Sequence, residues 1–437
     1  MKFKYFITLL IIFAIIFPFS ESVQGAAGDL PVPPLFYRQK ISEGDYLGAL
    51  LEFKKREAEY RASPFKSLFL QVMAPLESQV GNYNEAYAYF DEFRSSFWKP
   101  QPDIASSPLD NDSPQNALKT IGSIAARRQV IMINEEHDTP MHRAFTARLL
   151  PILYKKGFRY FAPETIVDEQ INERGYAIQK SGFYHSDPVY GDLIRTAIKL
   201  GFKIVSYDLS PDCKNPPDNS DYCQDVRERS QAQNLSDRIL KNDPKAKILV
   251  HVGRTHNQKT KLETWALMGW HFKQITGIDP LTIDQTQMSE RSRPDYESAT
   301  FRYAVKKWNF TAPTIFQSKD GKYSSNPSYD LTIFHPRSIY KDARPTWLEM
   351  GGARKSLALY GEVKNGLAQP FLPPTGGTFL VQAFAANESN EAIPIDQIIV
   401  TDAKKAPVLM LPAKGDFRLR AIDASGKTVV ETKVSIK

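Results

Sequence analysis

Residues 129–164 read QVIMINEEHDTPMHRAFTARLLPILYKKGFRYFAPE, and the fold of the chain turns on how they are read. Four apolar residues, 130–133, form a short run flanked by polar ones, the pattern of a strand buried on both faces of a parallel sheet. The run stops at Asn134-Glu135-Glu136-His137-Asp138, where a strand should turn into a helix. Pro140 suits the first turn of that helix, and Phe145, Leu149, Leu150, Ile152 and Leu153 supply its apolar stripe. A second apolar run, 158–162, ends on Pro163-Glu164. In open α/β sheets ligands bind at the carboxyl ends of the strands, which is where these charged residues fall. Acids at a helix start also complement the helix dipole. That accounts for Glu135, Glu136 and Asp138 and leaves His137 unexplained.

The alternation continues with strands expected at 202–207, 248–252, 281–284 and 331–334 and helices at 189–200 and 226–240. Such βαβ units predict an α/β domain over 112–345, a central, mostly parallel sheet with flanking helices. Before it, residues 37–98 carry a helical pattern with a faint repeat. Gly44-Asp45-Tyr46-x-x-Ala49-x-x-x-Phe53 recurs as Gly81-Asn82-Tyr83-x-x-Ala86-x-x-x-Phe90. That offset is close to the period of tetratricopeptide-type helix hairpins, of which about three are needed for a solenoid. The expectation is a small helical, TPR-like region over 28–105, although G-D/N-Y-x-x-A is also a common helix start. The Pro/Asp/Ser stretch 98–115 reads as a linker. From 376 onward the runs TFLVQAFA, QIIV, PVLMLP, DFRLRAID and KTVVETKVSI are short and rich in β-branched residues. They predict a C-terminal immunoglobulin-like β-sandwich over 358–437.

The first residues read as a leader. Lys2 and Lys4 precede an apolar run, 5–19, and Val23 and Gly25 fit a cleavage site before Ala26, so 1–25 has the signature of a signal peptide. The protein is therefore expected to be exported, periplasmic or secreted, with no stable membrane span once the leader is removed. The two cysteines, Cys213 and Cys223, bracket a turn-rich loop that a disulfide would staple in such a compartment. Two sulfurs are too few for a zinc site. A formal charge of +7 over 437 residues is mild, and Lys and Arg are scattered, which argues against nucleic acid as partner.

Seven histidines occur in the chain. His137 and Glu135 are two apart on an extended segment and can point the same way. His256 closes Gly253-Arg254-Thr255-His256 directly after the 248–252 run. Glu164 and Asp208 end two further strands. A parallel sheet collects its strand ends on one rim, so Glu135, His137, Glu164, Asp208 and His256 should converge. Arg229 and Asn234 open the helix before the His256 strand; Asp208 and Arg229 are the second-tier candidates. His142 reads as a supporting or capping residue, His185 as a loop residue near the site, and His251, His271 and His335 as structural. No G-x-S-x-G elbow, phosphate-binding glycine loop or H-E-x-x-H occurs. A carboxylate–histidine rim can activate water by general base catalysis, or hold a divalent metal that generates hydroxide.

These residues resemble the superfamily of erythromycin esterase-like hydrolases, ChaN-type haem-binding proteins and Tiki/TraB proteases. The family's G-E-x-H looks like Asn134-Glu135-Glu136-His137, with Asn in place of Gly. Its strand-end Glu looks like Glu164, and its R-[DE]-x-x-M-A-x-N looks like 227–234, with Gln231 in place of Met. Its closing G-x-x-H or H-N-x-H looks like Gly253 to His256, where Arg254 stands in place of Asn. The match spans roughly residues 120–290 and implies an α/β fold with a histidine–glutamate cleft. The expected function is hydrolysis of an ester or amide in a small molecule or peptide. His137 would be base or metal ligand, Glu135 and Glu164 its supports, and His256 oxyanion stabiliser or third metal ligand. Competing readings are a haem- or metal-binding protein using His137 and His256, and a catalytically faded scaffold whose helical region or β-sandwich meets a protein partner.

Overall fold

The computed structural model describes residues 31, 34, 38–182, 184–211, 213, 221–359, 371, 377–401 and 407–437; the expected leader, 1–25, lies outside them. Six strands form the central sheet, in the spatial order Lys203–Ile204, Tyr160–Pro163, Ile248–Gly253, Val130–Glu135, Leu281–Asp284, Leu331–Thr332. Every pairing between them is parallel. The two central strands are buried along their whole length, as continuous apolar runs require.

Side chains alternate between the two faces. Ile131, Ile133, Phe161 and Leu249 pack with the Pro140–Lys155 and Pro188–Leu200 helices on one face. Val130, Met132, Ile248 and Val250 pack with the Asp221–Leu235 and Met268–Thr276 helices on the other. The chain leaves Val130–Glu135 toward one edge of the sheet and leaves Ile248–Gly253 toward the opposite edge. Adjacent strands whose connections diverge open a crevice at their carboxyl ends, and that crevice holds the site described below.

Two expectations change. The strand expected at 202–207 pairs only over Lys203–Ile204. It lies at the sheet edge, where Asn172 Nδ2 donates to Ile204 O (2.9 Å) and Asn172 Oδ1 accepts from Ile204 N (2.8 Å). A side chain takes the place of a further strand there. The stretch read as a linker contains a strand, Asp112–Asn116, paired antiparallel with Thr314–Ser318. Pro114 concealed it, and Pro is tolerated at the edge of such a ribbon.

The helices Tyr46–Lys55, Lys66–Gln79 and Tyr83–Ser95 precede the sheet. The two repeat copies start alike. Gly44 and Gly81 have φ of 84° and 83°, values that only glycine adopts freely, and Tyr46, Ala49, Phe53, Tyr83, Ala86 and Phe90 are all buried. At the C-terminus a four-stranded antiparallel sheet, in the order Asp396–Val400, Phe379–Ala385, Gly415–Asp423, Thr428–Ile436, shares an apolar core with the pair Arg354–Ala358 and Val408–Pro412. Cys213 and Cys223 form a disulfide, and among the described residues no helix is long and apolar enough to cross a membrane. Both facts are compatible with an exported protein.

Candidate active site

Glu135 is the last residue of the Val130–Glu135 strand, on the face shared with Ile131 and Ile133. Its Oε1 lies 2.8 Å from His137 Nδ1. Arg143, eight residues on and inside the next helix, grips the same carboxylate twice, Nε to Oε2 and Nη2 to Oε1, both at 2.7 Å. The Arg143 Nη2 also donates to His137 O (2.9 Å), Nη1 lies 3.3 Å from Asp187, and the guanidinium sits over the Tyr190 ring. Burial opposes the charge of Glu135, but Arg143 and His251 outweigh it and hold the carboxyl well below the usual range. An ionised carboxylate only accepts. The proton of a neutral His137 therefore sits on Nδ1, and its Nε2 carries the lone pair. Tyr184 stacks on the ring at 3.5 Å between centroids and 12° between planes.

The second histidine is built the same way from the other side. His256 Nδ1 lies 2.6 Å from Glu228 Oε1, and Glu228 also accepts from Met268 N (2.8 Å) and Gln224 Nε2 (2.7 Å). Burial disfavours the imidazolium, yet Glu228 and Glu164 outweigh it and raise the pKa of His256 above the ordinary histidine value. Arg227 joins the groups between the two histidines. Its Nη2 donates to Glu164 Oε1 (3.0 Å) and Asp208 Oδ2 (3.1 Å), and its Nη1 lies 3.4 Å from His256 Nε2. Gln231 holds the other Asp208 oxygen at 2.7 Å. Burial works against the Asp208 charge, but Arg227 outweighs it and lowers the pKa. The side chains of His137 and His256 are 13 % and 15 % exposed, enough for a small reactant to reach either ring.

Glycine is required where the two halves meet. A Cβ on Gly253 would stand 2.7 Å from His137 Nε2 and 2.9 Å from Glu164 Oε2, and the Gly253 N–H donates to Glu164 Oε2. Beyond it Arg254 has φ of 28°, a conformation costly for a residue with a side chain. The turn is held by Arg254 N donating to Glu135 O (2.8 Å) and by Asn134 Nδ2 donating to Arg254 O (2.6 Å). Asn134 also donates to Asp284 Oδ1 (3.0 Å) and accepts from Gln285 N (2.8 Å), so it joins three adjacent strand ends.

The donor set does not fit a metal at Glu135, His137 and His256. Both Glu135 oxygens are taken by Arg143, and the cation beside His256 is the Arg227 guanidinium. Among the described residues no three His, Cys, Asp or Glu side chains are grouped to hold an ion. Haem on His137 does not fit either, because Nε2 faces Gly253 and Glu164.

Of the residues singled out in the sequence, Glu164, Asp208 and His256 meet around Arg227, and the Glu135–His137 pair faces Glu164 across Gly253. Arg229 does not: it is exposed, and Arg227, two positions earlier and about 200° round the helix, faces the rim instead. Asn234 supports from below, donating to Tyr207 O (2.9 Å) and Leu209 O (2.6 Å). His142 accepts from Glu136 N (3.1 Å) and lies 3.2 Å from Ser289 Oγ; burial pushes its pKa down to about 3. His185 is buried against Tyr190, and His251 lies 3.6 Å from Glu135 Oε2. The residues missed from sequence are Arg143, Glu228, Arg227 and Tyr184. Arg143 had left a signal, an arginine on the same helical stripe as Ala147 and Leu150.

No protein-family profile matches this chain, and no curated protein matches it. Solved structures do. The type III effector HopBA1 is 14% identical, with 43% of this chain and 92% of that one covered and a TM-score of 0.30. RRSP, a MARTX toxin effector domain from Vibrio vulnificus, is 14% identical over 70% of this chain and 59% of that one, TM-score 0.28. An erythromycin esterase mutant in its open conformation is 13% identical over 71% of this chain and 67% of that one, TM-score 0.20. Scores this low leave the geometry of the site as the ground for any functional assignment.

Proposed function

We propose that the protein is a hydrolase that cleaves an ester or amide bond with water activated at the Glu135–His137 and Glu228–His256 pairs. The observation that carries this reading is the pairing itself. Two histidines on different strand ends each have Nδ1 fixed by a buried carboxylate, and each turns Nε2 toward the groups around Glu164. A water on the Gly253 face would give a proton to His137 Nε2 as it attacks the carbonyl, and Glu135 would stabilise the imidazolium formed. His256, whose imidazolium form Glu228 favours, and Arg227 would face the developing oxyanion. Collapse of the tetrahedral intermediate then passes a proton to the leaving group and restores His137. Glu164 and Asp208 hold Arg227 in place.

The wider reading follows the same proposal: an exported enzyme with a leader at 1–25, a TPR-like region at 28–105, the α/β domain at 112–345 and an immunoglobulin-like sandwich at 358–437. The matched helix starts at Gly44 and Gly81 and the core shared by two C-terminal antiparallel sheets support it. Either flanking unit would suit a protein partner.

The test is a panel of chromogenic esters and peptides assayed across pH. If His256 acts as the cation, the rate is high below its folded pKa and falls as pH rises through it. The stability that His256 contributes has the same sign: complete below about 6.5, the unfolded value, and lost through the raised folded pKa. Glu228→Gln removes the largest influence raising that pKa, so the alkaline limb should move to lower pH. An unmoved limb would remove His256 from the mechanism, and a panel with no turnover would end the hydrolase reading. Gly253→Ala should cut the rate about 10²-fold by displacing the imidazole, with the far-ultraviolet spectrum unchanged; full activity would mean that the water binds elsewhere.

A further inference from the structure

Glu136 lies between Glu135 and His137 but points the other way, as alternation along an extended segment demands. There it accepts from Arg254 Nη2 (3.0 Å) and from Arg291 Nη2 (3.2 Å), with Arg291 Nη1 against its second oxygen. A third arginine stands beside them. Arg94, on the Tyr83–Ser95 helix, stacks on the Trp98 ring at 5.0 Å, and its Nη1 is buried with no hydrogen-bond partner among the described residues. Two more buried atoms on the same side of that helix lack one, Trp98 Nε1 and Asp91 Oδ1. Residues 91, 94 and 98 share one helical face, and Trp98 N still donates to Arg94 O (2.7 Å), so the face continues past the helix end.

Three guanidinium groups thus face two committed carboxylates, Glu136 and Asp91, whose Oδ2 accepts from Ser292 N and Oγ at 2.7 Å. Asp138, beside Glu136, has its pKa raised to about 7 by burial and by that neighbour, so it adds only part of a negative charge near neutral pH. The excess positive charge rests on Arg94, whose pKa burial and repulsion from Arg291 push down to about 9. A buried N–H without an acceptor is costly, and two such donors on one helical face suit an anion. Arg94 and Trp98 retain partial exposure.

We propose that Arg94 and Trp98, with Arg254 and Arg291 behind them, form a binding site for a phosphate group on the face of the strand ends opposite His137. Arg94 Nη1 and Trp98 Nε1 donate to its oxygens, and Asp91 Oδ1 shares its remaining proton. The site does not depend on the chain being a hydrolase.

The test is thermal unfolding of the full chain with inorganic phosphate or phenyl phosphate, against chloride at equal ionic strength. Phosphate should raise Tm by roughly 2 °C at saturating concentration. Arg94→Met should abolish the rise while leaving the ligand-free Tm close to wild type, since it removes a charge that burial and Arg291 disfavour. Trp98→Phe deletes one N–H, keeps the stack, and should weaken binding about three- to tenfold; it serves as the test if Arg94→Met does not fold. A larger rise with phenyl phosphate assigns the site to the phosphate of a larger ligand, and a rise with inorganic phosphate alone assigns it to the free anion. No rise with either, or a rise that survives in both variants, would overturn the proposal.

Discussion

His137→Ala should lower turnover of any ester or amide cleaved by the wild type about 10²–10⁴-fold, the usual contribution of a positioned general base, with little change in stability. The two effects separate because of how the pair is built. Glu135 keeps both bonds from Arg143 when the imidazole is removed, so no buried charge is stranded. The lost contacts are one bond to Nδ1 and the stack on Tyr184. Initial rates and a urea unfolding curve on the same preparation check both halves. Activity within tenfold of wild type would exclude His137 as the base.

Glu135→Gln should have the opposite profile on stability, a loss of about 3–5 kcal/mol. Arg143 is 1 % exposed, and its charge is balanced chiefly by this carboxylate and then by Asp187 at 3.3 Å. A neutral amide accepts one of the two bonds at best and offers no charge. Removing both partners, Glu135→Gln with Arg143→Met, should recover part of the loss, because Asp187 can then take up a proton; burial already raises its pKa. Denaturant midpoints for the two singles and the double give the coupling directly. A Glu135→Gln single as stable as wild type would mean that Arg143 is balanced by other groups.

These expectations depend on residues that differ in how visible they were. Glu135, His137, Glu164 and His256 each follow an apolar run, and a strand end is a local property of the chain. Arg143 is less visible, because a helix that folds back over its own strand brings it to Glu135, and nothing in the period states which carboxylate it meets. Arg227 and Arg229 sit in one polar stretch, RERSQAQN, without an apolar stripe to set the helix phase; the resembling motif begins at Arg227, and that arginine is the one turned to Glu164 and Asp208. Glu228 is fully buried for the same unreadable reason. The expectation of a metal fails on a tertiary fact as well, since the cation among the carboxylates is supplied by the chain.

By itself the sequence determined the alternation of strands and helices, the two helix starts at Gly44 and Gly81, the antiparallel texture after residue 376 and the pairing of Cys213 with Cys223. All of these rest on periodicity, turn chemistry or spacing within a few residues. Only the tertiary structure decided the strand order, the shortening of the edge strand by Asn172, and the pairing of Asp112–Asn116 with Thr314–Ser318. It also decided which charges meet at the crevice and left Arg94 Nη1 without an acceptor among the described residues. The reason is one of range. Backbone periodicity is decided by neighbours, whereas ion pairs and edges are decided by segments far apart in the chain that share a buried, weakly screened space.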